Sequence, residues 1–198
     1  MKINCYCGET LDFDIPETLD LEASEELQNS VIKGNFLVKI CPTCGKVVKP
    51  EITLNFLYNQ GISKLGFIPE LERSAFLSGE KAIQASEVVI GYPELVEWVK
   101  IHKASLDRRA VEIIKYYLLK KTENPEKISL FFNSSEGENL TFHLYGLKPE
   151  EIGVSRIPLA TYQKILKDLP RLAGQEPFLY FITPPYVSVT RVALEKEE

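Results

Sequence analysis

The chain has 198 residues, 44% of them hydrophobic and 26% charged, a balance that excludes disordered, collagen-like and coiled-coil chains and fits one domain or a small pair. Lysine and arginine number 23 against 28 acids, a net charge of −5, opposite in sign to the basic footprint of a general nucleic-acid binder. The opening residues, Met1-Lys2-Ile3-Asn4-Cys5-Tyr6-Cys7-Gly8-Glu9, lack the apolar run of a signal peptide. No stretch approaches the ~20 apolar residues of a membrane span. The expectation is a cytoplasmic protein, with no membrane association, whose thiols stay reduced.

In chain order, Leu11, Phe13 and Ile15 alternate with Asp12 and Asp14, the pattern of a half-buried strand. Ala23, Leu27 and Val31 then recur every four residues before Gly34, predicting an amphipathic helix over 20–33. Residues 36–40 return as a strand running into Cys41. Residues 47–48 and 52–57 read as further strand, with Pro50 at an edge or bulge. Residues 58–91 look irregular, apart from a short strand at 87–91. Pro93 suits a first helical position. Ser105 is a candidate N-cap for a second helix carrying Leu106, Ala110, Ile113, Ile114, Tyr117 and Leu118 on one face. Residues 122–127 read as a linker. Residues 128–132 and 140–145 read as a hairpin around a seven-residue loop, 133–139. A helix through Tyr162, Ile165, Leu166 and Leu169 should end before Pro170, and strands are expected at 178–182 and 186–194. The class is α+β.

The chemistry is concentrated in four cysteines. Cys41-Pro42-Thr43-Cys44-Gly45 is the more specific pair: a C-P-x-C-G turn folds back so that both sulfurs converge, and the glycine permits the positive φ that closes it. Backbone N–H groups beside the sulfurs can then donate to the thiolates. Cys5-Tyr6-Cys7-Gly8 is one residue shorter. On an extended strand its two cysteines would face the same side and converge on the same ion. Four thiolates satisfy tetrahedral zinc with no open position, so Cys5, Cys7, Cys41 and Cys44 are the expected ligands of one structural Zn2+.

Two other chemistries compete for parts of the sequence. A C-P-x-C pair also occurs in thiol-disulfide oxidoreductases, where the first cysteine stands at a helix N-terminus. Here Gly45-Lys46-Val47-Val48-Lys49-Pro50 follows, which opposes a helix. Segment 92–121 holds seven basic and four acidic groups with Trp98, Tyr116 and Tyr117 among them, a modest excess for nucleic-acid binding. There is no phosphate-binding glycine loop, dinucleotide fingerprint, H-E-x-x-H or G-x-S-x-G motif, and no catalytic residue is assigned. His102 and His143, the two histidines, are expected as ordinary polar residues.

The pairing of Cys5-Tyr6-Cys7-Gly8 with Cys41-Pro42-Thr43-Cys44-Gly45, followed by strands and a helical region opening at Val88-Val89-Ile90-Gly91-Tyr92-Pro93 and continuing through Leu106-Asp107-Arg108-Arg109, resembles the CpXC protein family over roughly residues 3–125. The family's name reflects a C-P-x-C motif in both positions, and the first pair here has no proline. The resemblance implies a zinc-binding domain of bacterial type and supplies four ligands but no reaction. The expected architecture is an N-terminal zinc-ribbon-like module of short strands with one helix, then a helical pair, then a further strand-rich α+β region. The expected domains are 1–125, of CpXC type, and a C-terminal region 126–198, packed with the first or separate. The function expected is a non-enzymatic interaction or structural module with an unknown protein partner. A thiol-disulfide oxidoreductase using Cys41 and Cys44, or a nucleic-acid-binding zinc ribbon, is the alternative.

Overall fold

The computed structural model describes residues 1–192, and the chain divides into two compact units, Met1–Val96 and Glu97–Glu198. The class is α+β, with small separate sheets, six α-helices and no closed barrel among the described residues.

The first unit opens with two short hairpins. Strands β1 (Lys2–Asn4) and β2 (Thr10–Asp12) pair antiparallel. Strands β3 (Lys39–Ile40) and β4 (Val47–Val48) do the same. Each hairpin encloses one cysteine pair. Between them lies α1 (Glu25–Ile32), shorter than 20–33 because Ser24 is its N-cap: the Ser24 hydroxyl accepts from the Leu27 N–H at 3.1 Å. That single bond satisfies one of the donors every helix start leaves open.

The unit's larger sheet is β5 (Leu54–Tyr58), β6 (Ser63–Ile68) and β7 (Glu87–Ile90), with β5–β6 antiparallel and β6–β7 parallel. Val88, Val89 and Ile90 are all buried, as a parallel strand covered on both faces requires. Residues 58–91 are therefore more ordered than their glycines suggest. Gly66 lies within β6 because a Cβ there would stand 2.8 Å from Ile83 Cδ1, so the missing side chain lets the β6–β7 crossover lie against the strand. That crossover also contains α2 (Arg73–Leu77).

Helix α3 (Gly91–Lys103) spans the division between the units. Ser105 is not a cap for the next helix. It takes φ +54° at the end of α3, where the Leu106 N–H reaches back to the Ile101 carbonyl at 3.1 Å, a left-handed helix stop. Asp107 caps α4 (Arg108–Leu119) instead, its carboxylate accepting from the Arg109 N–H at 2.8 Å.

In the second unit, β8 (Ser129–Glu136), β9 (Asn139–Lys148) and β10 (Glu151–Pro158) form an antiparallel sheet in the order β10-β9-β8. The expected seven-residue loop is instead more strand. Glu136 pairs with Asn139 and only Gly137 and Glu138 turn the chain, with a bulge near Asn133 absorbing the register. Helix α5 (Leu159–Leu172) runs through Pro170. Residues 178–182 form helix α6 (Phe178–Ile182), not a strand. Phe178, Phe181 and Ile182 are buried while Leu179 and Tyr180 are exposed, an i, i+3, i+4 pattern that only a helix makes one-sided. Of the strand expected at 186–194, the described part ends in a 3-10 turn, Val189–Arg191, and 193–194 lie outside the described residues.

This unit's core also holds charge. Lys115 Nζ lies 2.9 Å from Glu97 Oε2 and 2.7 Å from Glu112 Oε1, with all three residues at most 5% exposed. The remaining oxygens are used as well: Glu97 accepts from the Phe132 N–H at 2.6 Å and Glu112 from the Val189 N–H at 2.7 Å. One ammonium thus ties α3 to α4, and the two carboxylates fasten β8 and the 189–191 turn. Burial pushes Glu97 up to about 7, with Lys115 opposing the rise and Glu112 adding to it. Desolvation works against the Lys115 charge, but the two carboxylates hold its pKa above the usual lysine range.

Candidate metal centre

The first cysteine of each pair is buried and the second exposed: Cys5 and Cys41 face inward, Cys7 and Cys44 outward. The fold around them explains this. Cys5 and Cys41 join Leu11 and Phe13 in a small core, with Ile3, Ile15 and Val48 packed on it. The second cysteine of each pair lies in the turn beyond.

Both pairs are turns closed at a glycine. In the second, the Cys41 N–H donates to the Lys46 carbonyl and the Gly45 N–H donates to the Cys41 carbonyl, each at 2.9 Å. Gly45 takes φ +70°, the region that costs an L side chain strain. The first pair is a turn too, not the extended strand that its C-x-C spacing suggested. Strand β1 stops at Asn4, the Gly8 N–H donates to the Cys5 carbonyl at 2.9 Å, and Gly8 takes φ +92°. The positive φ reverses the chain within four residues, so a pair one residue short still presents both sulfurs to one point.

The four Sγ atoms all lie within 4.8 Å of one another. Two cross-hairpin separations, Cys5 to Cys44 and Cys7 to Cys41, are 3.6 Å each. Sulfurs bound at about 2.3 Å around one tetrahedral ion sit about 3.8 Å apart, so the cluster has the dimensions of such a site. The donor set, four thiolates and nothing else, is the soft kind that suits zinc and iron–sulfur chemistry. All four cysteines marked by the sequence are brought together. No other group of three or more potential ligands of this kind occurs among the described residues.

Without a cation the thiols compete. Against desolvation, which raises it, the N–H groups of Cys44 and Thr43 and the thiols of Cys7 and Cys44 lower Cys41 to about 7. Cys7 moves oppositely. The Glu9 N–H favours its thiolate, but desolvation and the Cys41, Cys44 and Cys5 sulfurs push it up to about 12. The first negative charge is thus welcomed and the next opposed, an imbalance that a divalent cation would relieve.

Two supports were not evident from the sequence. Thr43 Oγ1 donates to Glu9 Oε2 at 2.6 Å, linking one cysteine turn to the other. Lys39 Nζ donates to the Asp12 carbonyl and sits 5.3 Å from the Phe13 ring centroid, joining β3 to the end of the first hairpin. The only signal for either was proximity to a cysteine pair. Cys41 does not stand at a helix N-terminus: its turn leads into β4. In segment 92–121, Trp98 is buried and stacks on His102 at 4.9 Å, and Tyr116 packs against Phe178 and Phe181 at 5.5 Å. Those aromatics are engaged within the protein. Among the described residues, no helix is long and apolar enough to cross a membrane.

The model of the CpXC protein family matches residues 3–115, more than half of the chain. An uncharacterized protein from Treponema pallidum (strain Nichols) is 24% identical over 203 residues, covering 91% of this chain and 93% of its own length. No solved structure matches.

Proposed function

The chain belongs to the CpXC family, and we propose that it is a zinc-binding protein whose metal is structural and whose role is to present a folded surface to a protein partner in the cytoplasm. The observation that carries this reading is the convergence of four sulfurs within 4.8 Å from two turns that close on Gly8 and Gly45. Cys5, Cys7, Cys41 and Cys44 would hold one Zn2+. Four protein ligands leave no open position for water or substrate, which supports a structural rather than a catalytic ion.

The module's size supports the same reading. Its core is Leu11, Phe13 and two of the cysteines themselves, too little apolar surface to hold two hairpins together unaided. A metal bound only by the folded form contributes its binding free energy to folding. The turn into β4, in place of a helix, deprives Cys41 of the dipole that activates thiol oxidoreductases.

Cobalt substitution tests the ligand set. Co2+ added to metal-free protein under reducing conditions should give the intense visible bands of a tetrahedral thiolate site, bleached by one equivalent of Zn2+. A Co2+ spectrum of octahedral, oxygen-ligated type would overturn the assignment.

A further inference from the structure

A groove of about 460 Å³ lies within the second unit, between α4 and α5. Its floor and walls are apolar: Ile114, Leu118 and Tyr117 from α4, Ile165 and Leu172 from α5, and Ile157 from the end of β10. The helical positions fall at spacings of three, four and seven, so each helix contributes one continuous stripe. The rim differs from the floor. Lys121 stands on one side, and Thr161, Lys164, Asp168 and Arg171 stand on the other.

The rim charges do not cancel. Arg171 is engaged by Asp168 at 3.7 Å and by Gln175 at 3.3 Å. Among the described residues, Lys121 and Lys164 form no ion pair. Two ammonium groups without an ion-pair partner among the described residues, on long stems able to fold over the opening, therefore border an apolar trough whose volume falls in the range of small-ligand sites. A neutral apolar guest would fill the floor and leave the lysines unused, and a cationic one would be repelled.

We propose that this groove binds a small amphipathic anion, an unbranched apolar chain ending in a carboxylate. The chain lies along Ile114, Leu118, Ile165 and Leu172, and the carboxylate meets Lys121 and Lys164, with the Thr161 hydroxyl as a further donor. The site is separate from the cysteine cluster, and it stands or falls independently of the metal.

The test is calorimetric titration of the full chain with decanoate below its micelle concentration, with decyltrimethylammonium as the cationic counterpart. Saturable binding of one decanoate per chain, weakened about tenfold or more in Lys121→Glu/Lys164→Glu and unchanged in Lys167→Glu, is the expected result. Thr161→Trp, which adds bulk at an exposed rim position, should also block it and gives a second readout if the charge reversals impair folding. Absence of saturable binding would overturn the proposal. So would equal binding of decyltrimethylammonium, or unchanged decanoate affinity in both variants with their circular dichroism intact.

Discussion

Replacing Lys115 with methionine isolates the contribution of the buried charge trio. The substitution keeps the length of the side chain and removes the one cation between Glu97 and Glu112. Each carboxylate retains its backbone donor, Phe132 N–H at 2.6 Å and Val189 N–H at 2.7 Å, but loses a charge-assisted bond of 2.9 or 2.7 Å to the ammonium. Two carboxylates within reach of one ammonium, each almost fully buried, cannot both stay ionised without it. Breaking a buried pair in this way costs about 3–5 kcal/mol. The sign of the pH dependence follows from Glu97, already pushed from 4.5 up to about 7 in the folded chain. A carboxyl that holds its proton more tightly folded than unfolded contributes fully below its unfolded pKa, and the contribution is lost as pH rises through the folded value. Lys115→Met removes the cation that opposes the rise at Glu97, so the loss of stability should be larger at pH 8 than at pH 5. Trp98, the chain's single tryptophan, lies in the same unit, and urea unfolding followed by its fluorescence reports the effect directly. A loss below about 1 kcal/mol at pH 8, the range of exposed pairs, or a loss that shrinks with rising pH, would refute the account of this trio.

Glu97→Gln keeps a carbonyl oxygen for the Phe132 N–H and should flatten the decline in parental stability between about pH 4.5 and 7, read from urea midpoints across that range. Cys41→Ser and Cys44→Ser should each destabilise residues 1–60 at least as much as Cys5→Ser, measured by limited proteolysis of that segment. Equal resistance of Cys44→Ser and the parent would contradict this. Gly146→Ala should be among the most damaging glycine substitutions. Gly146 takes φ +91°, and a Cβ there would lie 2.2 Å from the Lys127 carbonyl oxygen. Strain plus displacement of backbone should cost more than the roughly 1 kcal/mol typical of a glycine replaced at positive φ, visible as a lowered melting temperature.

The cysteine cluster was legible because its signal is local: four residues of one type, in two close pairs, each followed by glycine. What spacing did not convey was conformation. Cys5 and Cys7 two residues apart fit a strand as well as a turn, and the outcome depended on Gly8 taking a positive φ. The burial of Cys5 and Cys41 over their partners was equally hidden, because it depends on Leu11 and Phe13 packing with them in one small core. In the second unit, 178–182 is an apolar run too short for periodicity to separate helix from strand, and tertiary packing of Phe178, Phe181 and Ile182 decided it. Strand β10 is not marked in the sequence because Ile152 and Val154 point outward, each 53% exposed, inverting the usual pattern of a half-buried strand. The Glu97–Glu112–Lys115 trio left even less trace. Residues 112 and 115 share a helix face, but nothing local marks Glu97, or shows that both acids are capped by N–H groups of segments up to 77 residues away.

Elemental analysis of untagged protein, purified without added metal and paired with a thiol count, bears most directly on the central claim. One zinc per chain is expected, with the four thiols becoming reactive only after chelation and denaturation. Protein that carries no metal while two of its thiols oxidise reversibly to a disulfide would contradict the structural-zinc account and favour thiol chemistry at Cys41 and Cys44.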